Sequence, residues 1–573
     1  MARSHPSVVQ SAIAAQRRTL ATEERNRSKA WNSTVPINCL PNEVLSDLFE
    51  TYIRVREAKC FPPGCGGRSR HVKTPWFNIL HVCTHWHDLV TGTPTHWKII
   101  YVGLSVEWLD LCLSRSASAP VDVYFVDSNK VPAVLLEHLL PHHHRIRILK
   151  FDSFPDERLP QVADLLRRDM PALTTLNLDK LKWLVSTPSL HVRALPPLDT
   201  HTSLAETLPR LTTVILSFLH VPRDAFTLCH LRELVLNACS VDMSFSELIH
   251  VIGQCQVLER LVLYSFFDRL LDAPAMSLNR ICSSAPIVLP HLHSIEITEN
   301  TTTMTSAFLS SFILPAANRV YMEGKYDGIG PCNGVAPILP PSITLPVLST
   351  LTFAKLSPSP CNIEDAYLVG AVTFDPSFPH RTPIYIEVIG SERHPVQIKL
   401  RGLATLLHGA PLESLEIGGV DVVLDSEDSQ AWFDVFETFP RLEKLDVFYI
   451  SSAESFKALW SGLRRVSSVG IDDHVIGPAS RNHGRPPPYL RHITFHLWSP
   501  EDPLEPSFNL AIDEMLLYLR ERAMVGARLE LLKWDRRVGS NTRSLHPQLV
   551  DATRALLARV ELEGLVGEVV IAE

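Results

Sequence analysis

No stretch of this 573-residue sequence approaches the roughly 20 consecutive apolar residues that a bilayer-spanning helix needs, so no membrane role is expected. Nor is there a long block of one charge sign. The formal net charge is -8, and the best basic stretch, Arg25 to Lys29, is brief and follows Glu23 and Glu24, as a solvated helix face would. Nucleic-acid binders take most of their affinity from a basic face laid on phosphates, and the sequence offers no such face. Cysteine is sparse and odd in number, 11 residues scattered from Cys39 to Cys361. Cys83, Cys112 and Cys229 lie inside apolar runs, where the thiol behaves as a small hydrophobe. That usage suits a reducing compartment rather than a disulfide framework. The N-terminus, MARSHPSVVQSAIAAQ, has no apolar core of a secretory signal, which makes cytosol or nucleus the expected location.

Assembled catalytic motifs are also missing. There is no G-x-S-x-G elbow and no H-E-x-x-H helix. Gly328, Gly330 and Gly334 in DGIGPCNG lack the Gly-Lys-Ser/Thr of a phosphate loop and read as a flexible insertion. His81, Cys83, His85 and His87, with Cys60, Cys65 and His71 nearby, resemble a metal cluster only loosely. Zinc needs about four ligands converging as a tetrahedron, and this spacing argues instead for a core cysteine among surface histidines. The expectation is a non-catalytic protein with no metal and no cofactor.

What is present is a globular balance, 45% apolar against 20% charged, in a chain too long for one ordinary core. The segment from Ser7 to about Ala30 has a thin apolar stripe and reads as a loosely docked or flexible helix. At Leu40 the signal sharpens. In LPNEVLSDLFETYI, Pro41 suits a first helical turn and Glu43 the positive end of the dipole. Val44, Leu45, Leu48, Phe49, Tyr52 and Ile53 then recur as one broad apolar face. A Pro- and Gly-rich insert from Arg56, carrying Gly64, Gly66 and Gly67, predicts an exposed loop. A second helix is expected from Pro75, with Ile79, Val82, Cys83, Trp86, Leu89 and Val90 on one side, stopped by Gly92 and Pro94.

From about residue 145 a different grammar repeats. MPALTTLNL, LPRLTTVIL, LCHLRELVL, CQVLERLVL, LPHLHSIEI, LPVLSTLTF, APLESLEI, FPRLEKLDV and PYLRHITF share an L-x-x-L-x-L frame. Examples are Leu173, Leu176 and Leu178, then Leu231, Leu234 and Leu236, then Leu442, Leu445 and Val447. The last two of each trio fall on one face of a short strand. Helix signals lie between them: SFSELIHVI, which opens with Ser244 and Glu247 at capping-box spacing, LPQVADLLRRD, GLATLLHGA and AWFDVFETF. One strand plus one helix cannot bury its own faces and must stack on neighbours, which predicts an α/β fold organised as an irregular solenoid. An ordinary α/β domain of βαβ units would share the alternation. The end, from His546, reads as a helix and an apolar strand.

The N-terminal module resembles the F-box. The residues that carry the likeness are LPNEVLSDLF at 40–49, WFNILHVCTHWHDLV at 76–90 and TPTHW ending in Trp97. With WLDLCLSRSASAPVDVYF after them, they look like the F-box-like proteins of mushroom-forming fungi, in which degenerate leucine-rich repeats follow. The resemblance implies a substrate receptor of a cullin-RING (SCF-type) ubiquitin ligase, whose helices dock on a Skp-type adaptor while the repeats bind an unknown target protein. By position, Leu40, Pro41, Val44, Leu45, Leu48, Val82, Cys83 and Trp86 would form the adaptor contact. The expected organisation is an N-terminal helix or flexible segment at 1–35, an F-box-like domain at 36–100, a connector at 101–140 and leucine-rich repeats at 141–573. The alternative is a leucine-rich scaffold outside any ligase, with the F-box-like helices serving as its N-terminal cap.

Overall fold

The computed structural model describes residues 8–60, 76–103, 105–125, 134–152, 158–179, 208–221, 230–270, 285–325, 345–358, 366–371, 384–389, 396–418, 428–448, 453–468, 490–496, 506–535 and 547–572. Cys65, His71, Cys229, Cys361, the three glycines of the first insert and the DGIGPCNG stretch lie outside them. The fold is mixed α/β, in two compact units, Met1–Leu231 and Arg232–Glu573. No helix among the described residues is long and apolar enough to cross a membrane.

The first unit opens with α1 (Val8–Ser33), whose side chains from Gln10 onward are nearly all exposed, then α2 (Asn42–Cys60). The expected loop therefore starts later, because α2 runs on through Arg56 to Cys60. The helix predicted from Pro75 is two pieces, a 3-10 turn at Phe77–His81 and α3 (Thr84–Gly92). Cys83 between them is extended, φ -158° and ψ 168°, and its carbonyl accepts from His87 N–H at 2.9 Å. It is the residue that starts α3, not a member of an apolar helical face.

A parallel ladder then begins at Ile99, inside the segment expected as the end of the helical module and a connector. Its elements are β1 (Ile99–Val102), α4 (Val106–Arg115), β2 (Val121–Phe125), α5 (Val134–Leu139), β3 (Ile146–Asp152), α6 (Leu159–Leu166), β4 (Thr175–Asp179), β5 (Thr213–Ser217) and β6 (His220–Val221). β1 to β5 pair in chain order, all parallel. A parallel neighbour requires a crossover, which the helices supply. The register aligns Ile100, Val123, Leu149, Leu176 and Val214 in one column and Val102, Phe125, Phe151, Leu178 and Leu216 in the next. All ten are buried. A one-residue slip would send a whole strand's apolar set to the wrong face, so the pattern and the register specify each other. Arg145 is buried beside this ladder and donates to Leu113 O at 2.7 Å, Ser116 Oγ at 2.8 Å and Ala119 O at 3.2 Å, tying down the carboxyl end of α4.

The second unit repeats the device. It contains β7 (Glu233–Asn237), β8 (Ser240–Val241), α7 (Phe245–Gln254), β9 (Arg260–Tyr264), β10 (Ile287–Val288), β11 (Ser294–Thr301), α8 (Thr302–Ser310), β12 (Phe312–Ile313) and β13 (Arg319–Lys325). Next come β14 (Phe353–Pro358), β15 (Ala366–Ala371), β16 (Ile384–Ile389), α9 (Val396–Leu406), β17 (Ser414–Ile417), α10 (Asp428–Thr438), β18 (Lys444–Phe448) and α11 (Ala453–Ser468). The last elements are β19 (His492–His496), α12 (Pro506–Met524), β20 (Leu529–Asp535), α13 (Pro547–Leu562) and β21 (Val566–Ala572). The Ser244–Glu247 capping box forms as expected, with Glu247 N–H donating to Ser244 Oγ at 3.3 Å and Ser244 N–H to Glu247 Oε2 at 2.9 Å.

Among the described strands of this unit, pairing is parallel except at one place. β15 lies antiparallel between β14 and β16, so that β16, not β14, sits beside β13. Beyond it, β14, β17, β18, β19, β20 and β21 follow one another in parallel. Ala354, Leu415, Leu445, Ile493 and Leu532 form one buried column, and Leu356, Ile417, Val447, Phe495 and Trp534 the next. Helices α9 to α12 pack in a row, each on the next. On α11, Gly462 permits the approach to α10, since a Cβ there would come within 2.6 Å of Trp432 Cβ. Phe456 of α11 lies 5.3 Å from Phe495 and 6.2 Å from Trp534, so the helices cover the face that carries these columns.

Between β7 and β11 each frame ends in the same turn. Ala238, Ser265 and Glu299 all have positive φ, at 50°, 46° and 54°, and each stands seven residues after the first leucine of its frame. Phe218, after β5, does the same at 56°. None is glycine, so each sits in a region that L-residues visit at a cost. Offsetting hydrogen bonds run to the next strand: Ala238 N–H donates to Tyr264 O at 2.7 Å and Ser265 N–H to Thr298 O at 2.8 Å.

Candidate functional site

Helix α2 has two apolar stripes, where the sequence suggested one broad face. At 100° per residue, Leu45, Phe49 and Ile53 line one side, and all three are buried. Val44, Leu48, Tyr52 and Val55 line another, and they are 45%, 47%, 38% and 47% exposed. Ile37 and Pro41 before the helix are exposed as well.

The inner stripe closes a small core. Phe49 lies 4.8 Å from the Trp86 ring and 6.2 Å from His96. The Trp86 indole N–H donates to Asn38 Oδ1 at 2.6 Å, which joins α3 to the turn ahead of α2. His96 Nε2 sits 3.0 Å from Ser46 Oγ, and burial holds its pKa below the ordinary value. Glu50 accepts from Lys98 Nζ and Arg54 Nη2, both at 2.6 Å, and these cations, Lys98 foremost, hold its carboxyl at about 2.

Of the residues expected at an adaptor contact, Pro41, Val44, Leu48 and Val82 are exposed and Leu40, Cys83 and Trp86 half-buried. Leu45 is wholly buried and belongs to the inner stripe, where it holds the module together. Tyr52, expected on the apolar face but not at the adaptor contact, extends the exposed stripe, as do Ile37 and Val55, which were not singled out from the sequence. Their signal was available, since 44, 48, 52 and 55 follow i, i+4 and i+3 spacing. His81, His85 and His87 are exposed. Among the described residues, no three His, Cys, Asp or Glu side chains converge as metal ligands would.

The module is fixed to the ladder by indoles. Trp97 Nε1–H donates to Val90 O at 2.8 Å, and its ring stands 5.5 Å from Trp76 and 6.1 Å from Trp108 on α4. Phe77 packs edge-on to Trp108 at 5.0 Å. Arg115 of α4 reaches back to Thr91 O at 3.2 Å. The buried side of the module is thus occupied by its own residues and by the start of the sheet, while the outer stripe of α2 is left to solvent.

No protein-family model matches the chain, and no curated protein matches it.

Proposed function

We propose that this chain is a substrate-recognition subunit of a cullin-RING ubiquitin ligase, with the outer stripe of α2 docking a Skp-type adaptor and the ladder binding the target protein. The observation that carries the reading is the four-residue apolar stripe, exposed on a helix whose other apolar side is already satisfied. Exposed apolar patches on small units mark interfaces. The mechanism is proximity: the target is held near a ubiquitin-charged enzyme bound elsewhere in the complex, in cytosol or nucleus, and this polypeptide supplies no catalytic residue.

We take the ladder as an irregular leucine-rich-repeat solenoid. Leu292, Ile295, Ile297 and Asn300 fit L-x-x-L-x-L-x-x-N, and Leu231, Leu234, Leu236, Cys239 and Val241 fit the cysteine form of the same repeat. The recurring positive-φ turn supports this, because it falls at one position of the frame. The insertion of β15 accounts for the irregularity.

The test is co-expression with a Skp-type adaptor. The wild-type chain should co-purify with it in equal amounts. Val44→Asp combined with Leu48→Asp should abolish the complex and leave the melting temperature unchanged, since both side chains face water. Persistence of the complex would overturn the reading. Leu45→Asp serves no such purpose, because it buries a charge in the module core.

A second reading is favoured by the indole contacts. Trp97 and Phe77 against Trp108 fit a cap that shields the first strand of the ladder, and a solenoid end needs one. A well-folded chain with no adaptor complex would make this the function of the module.

A further inference from the structure

The second unit's sheet has an open edge at β21 (Val566–Ala572). This strand pairs in parallel with β20, and among the described strands it has no second neighbour. Its outer edge therefore presents a row of backbone N–H and C=O groups that no described strand answers. Proteins commonly blunt such an edge with lysine, proline or a bulge. β21 uses none of these: it reads VGEVVIA and keeps one register along β20. Val569, the residue that follows Leu532 across the ladder in a buried column, is only half-buried.

The helix that leads into this strand carries a matching surface. α13 buries Leu556, Leu557 and Val560. Another side of it faces α12, since Arg559 and Arg520 of α12 both hold Glu563, at 3.1 Å and 2.8 Å. Turned roughly 140° or more from Glu563, at about 100° per residue, lie Arg554, Ala558 and Glu561, all exposed. Arg554 and Glu561 stand about two turns apart on one stripe, with Ala558 between them. The stripe is positive toward the amino end of α13 and negative toward its carboxyl end. Glu561 has no ion-pair partner among the described residues. A surface with its charges in that order complements itself when a second copy is turned end for end.

We infer that two copies of this chain associate about a two-fold axis through β21 and α13. Arg554 of each copy meets Glu561 of the other, and Ala558, with nothing beyond its Cβ, sits near the axis and lets the helices approach. The same axis lays β21 antiparallel on its own copy, an arrangement that needs no crossover and so suits strands from separate chains. A strand from an unrelated protein would also fill the edge, but it would leave the charge order on α13 unanswered. The strand is about 23 Å long and the sheet and helix layers together are about 20 Å deep, so the pair buries about 900 Å² in total. That is close to the lower bound of a specific interface, and the dimer is expected at micromolar concentration. The surface uses no residue of the N-terminal module, so the inference goes beyond the adaptor reading and does not rest on it.

The experiment is sedimentation velocity on the full chain across a micromolar concentration series, which should show a monomer passing into a dimer. Ala558→Glu sets two carboxylates near the axis, and Glu561→Arg sets arginine against arginine. Each should weaken the dimer about tenfold or more, because like charges brought together at an interface are costly. Combining Arg554→Glu with Glu561→Arg restores opposite charges across the axis and should bring the dimer back, a rescue that a merely structural role for either residue would not give. Every variant should melt with the wild type at concentrations where both are monomeric. A wild-type chain that stays monomeric throughout, a dimer that Ala558→Glu leaves intact, or a charge swap that folds but does not rescue would each overturn the inference.

Discussion

Trp97 and Trp108 stand with ring centroids 6.1 Å apart, one closing the N-terminal helical module and the other on the first crossover helix of the sheet. Trp97 is 3% exposed and also packs on Trp76. Truncating it leaves a cavity shared by module and ladder. Trp97→Ala is expected to cost about 3–5 kcal/mol in urea unfolding. It should also speed amide exchange in both α3 and α4, since the indole touches what each is built on. Faster exchange confined to α3 would show that the two parts hold themselves together separately.

Acid should loosen the same module. Glu50 titrates at about 2 in the folded chain against an ordinary 4.5, so its ion pairs with Lys98 and Arg54 contribute fully above pH 4.5. That contribution is lost as pH falls from 4.5 through about 2. His96, held below its ordinary 6.5 by burial, acts in the same direction: the unfolded chain takes up its proton first, so stability declines as pH drops below 6.5. The urea midpoint should therefore fall in two stages on acidification. In Glu50→Gln the midpoint should start lower at neutral pH and the second stage should flatten, leaving the His96 stage in place.

Arg145 tests a different kind of support. Its guanidinium donates to Leu113 O, Ser116 Oγ and Ala119 O, and without it Leu113 O and Ser116 Oγ would keep their bond to each other, at 3.1 Å, but lose the charged donor. Arg145→Met keeps the aliphatic stem and removes every donor. The expected loss is about 2–4 kcal/mol by equilibrium unfolding, from charge-assisted bonds broken in a buried setting. A loss below about 0.5 kcal/mol, the size of an ordinary surface substitution, would mean that water replaces the arginine at no cost.

Leucine made much of the ladder legible. Leu173, Leu176 and Leu178, or Leu442, Leu445 and Val447, announce a strand and its buried face together. The same frame built from other residues passed unread: Trp97, Ile100 and Val102; Ile146, Leu149 and Phe151; Leu529, Leu532 and Trp534, every one buried. Burial selects for apolar volume and not for leucine, which is why the ladder starts at β1 and not near residue 145. The break at Val82–Cys83 was hidden because the 3-10 turn and α3 each present apolar residues, and their spacings run together. In α2 the composition of the stripe was plain, but its division into a buried and an exposed half depends on what packs against it. Alternation alone assigns a strand's residues to its two faces. Which residues of neighbouring strands meet follows from strand register, and register across long insertions is not a local property of the sequence.

Asn300 offers the sharpest test of the repeat geometry. The side chain is 0% exposed. Its Oδ1 accepts from Phe266 N–H and Phe267 N–H, both at 2.8 Å. Its Nδ2 donates to Leu263 O at 3.1 Å and Thr298 O at 2.8 Å. One amide thus serves four backbone groups at the positive-φ turn after β9, where Ser265 leaves the strand. In Asn300→Ala the buried N–H groups of Phe266 and Phe267 lose their partner and Leu263 O loses a donor, while Thr298 O keeps Ser265 N–H, at about 1–3 kcal/mol for each group left unsatisfied. A total of at least about 3 kcal/mol is expected, with the turn at 265–267 the first segment to exchange its amide protons. Asn300→Asp separates the two halves of the role. The carboxylate can still accept from Phe266 and Phe267, but it cannot donate to Leu263 or Thr298, and it places a charge where no water reaches. The aspartate variant should therefore be the less stable of the two at neutral pH and should recover as acid protonates it, a reversal of the acid response expected for Glu50. If the alanine and aspartate variants unfold together at every pH, the amide is a spacer and not the tie that holds neighbouring strands in step.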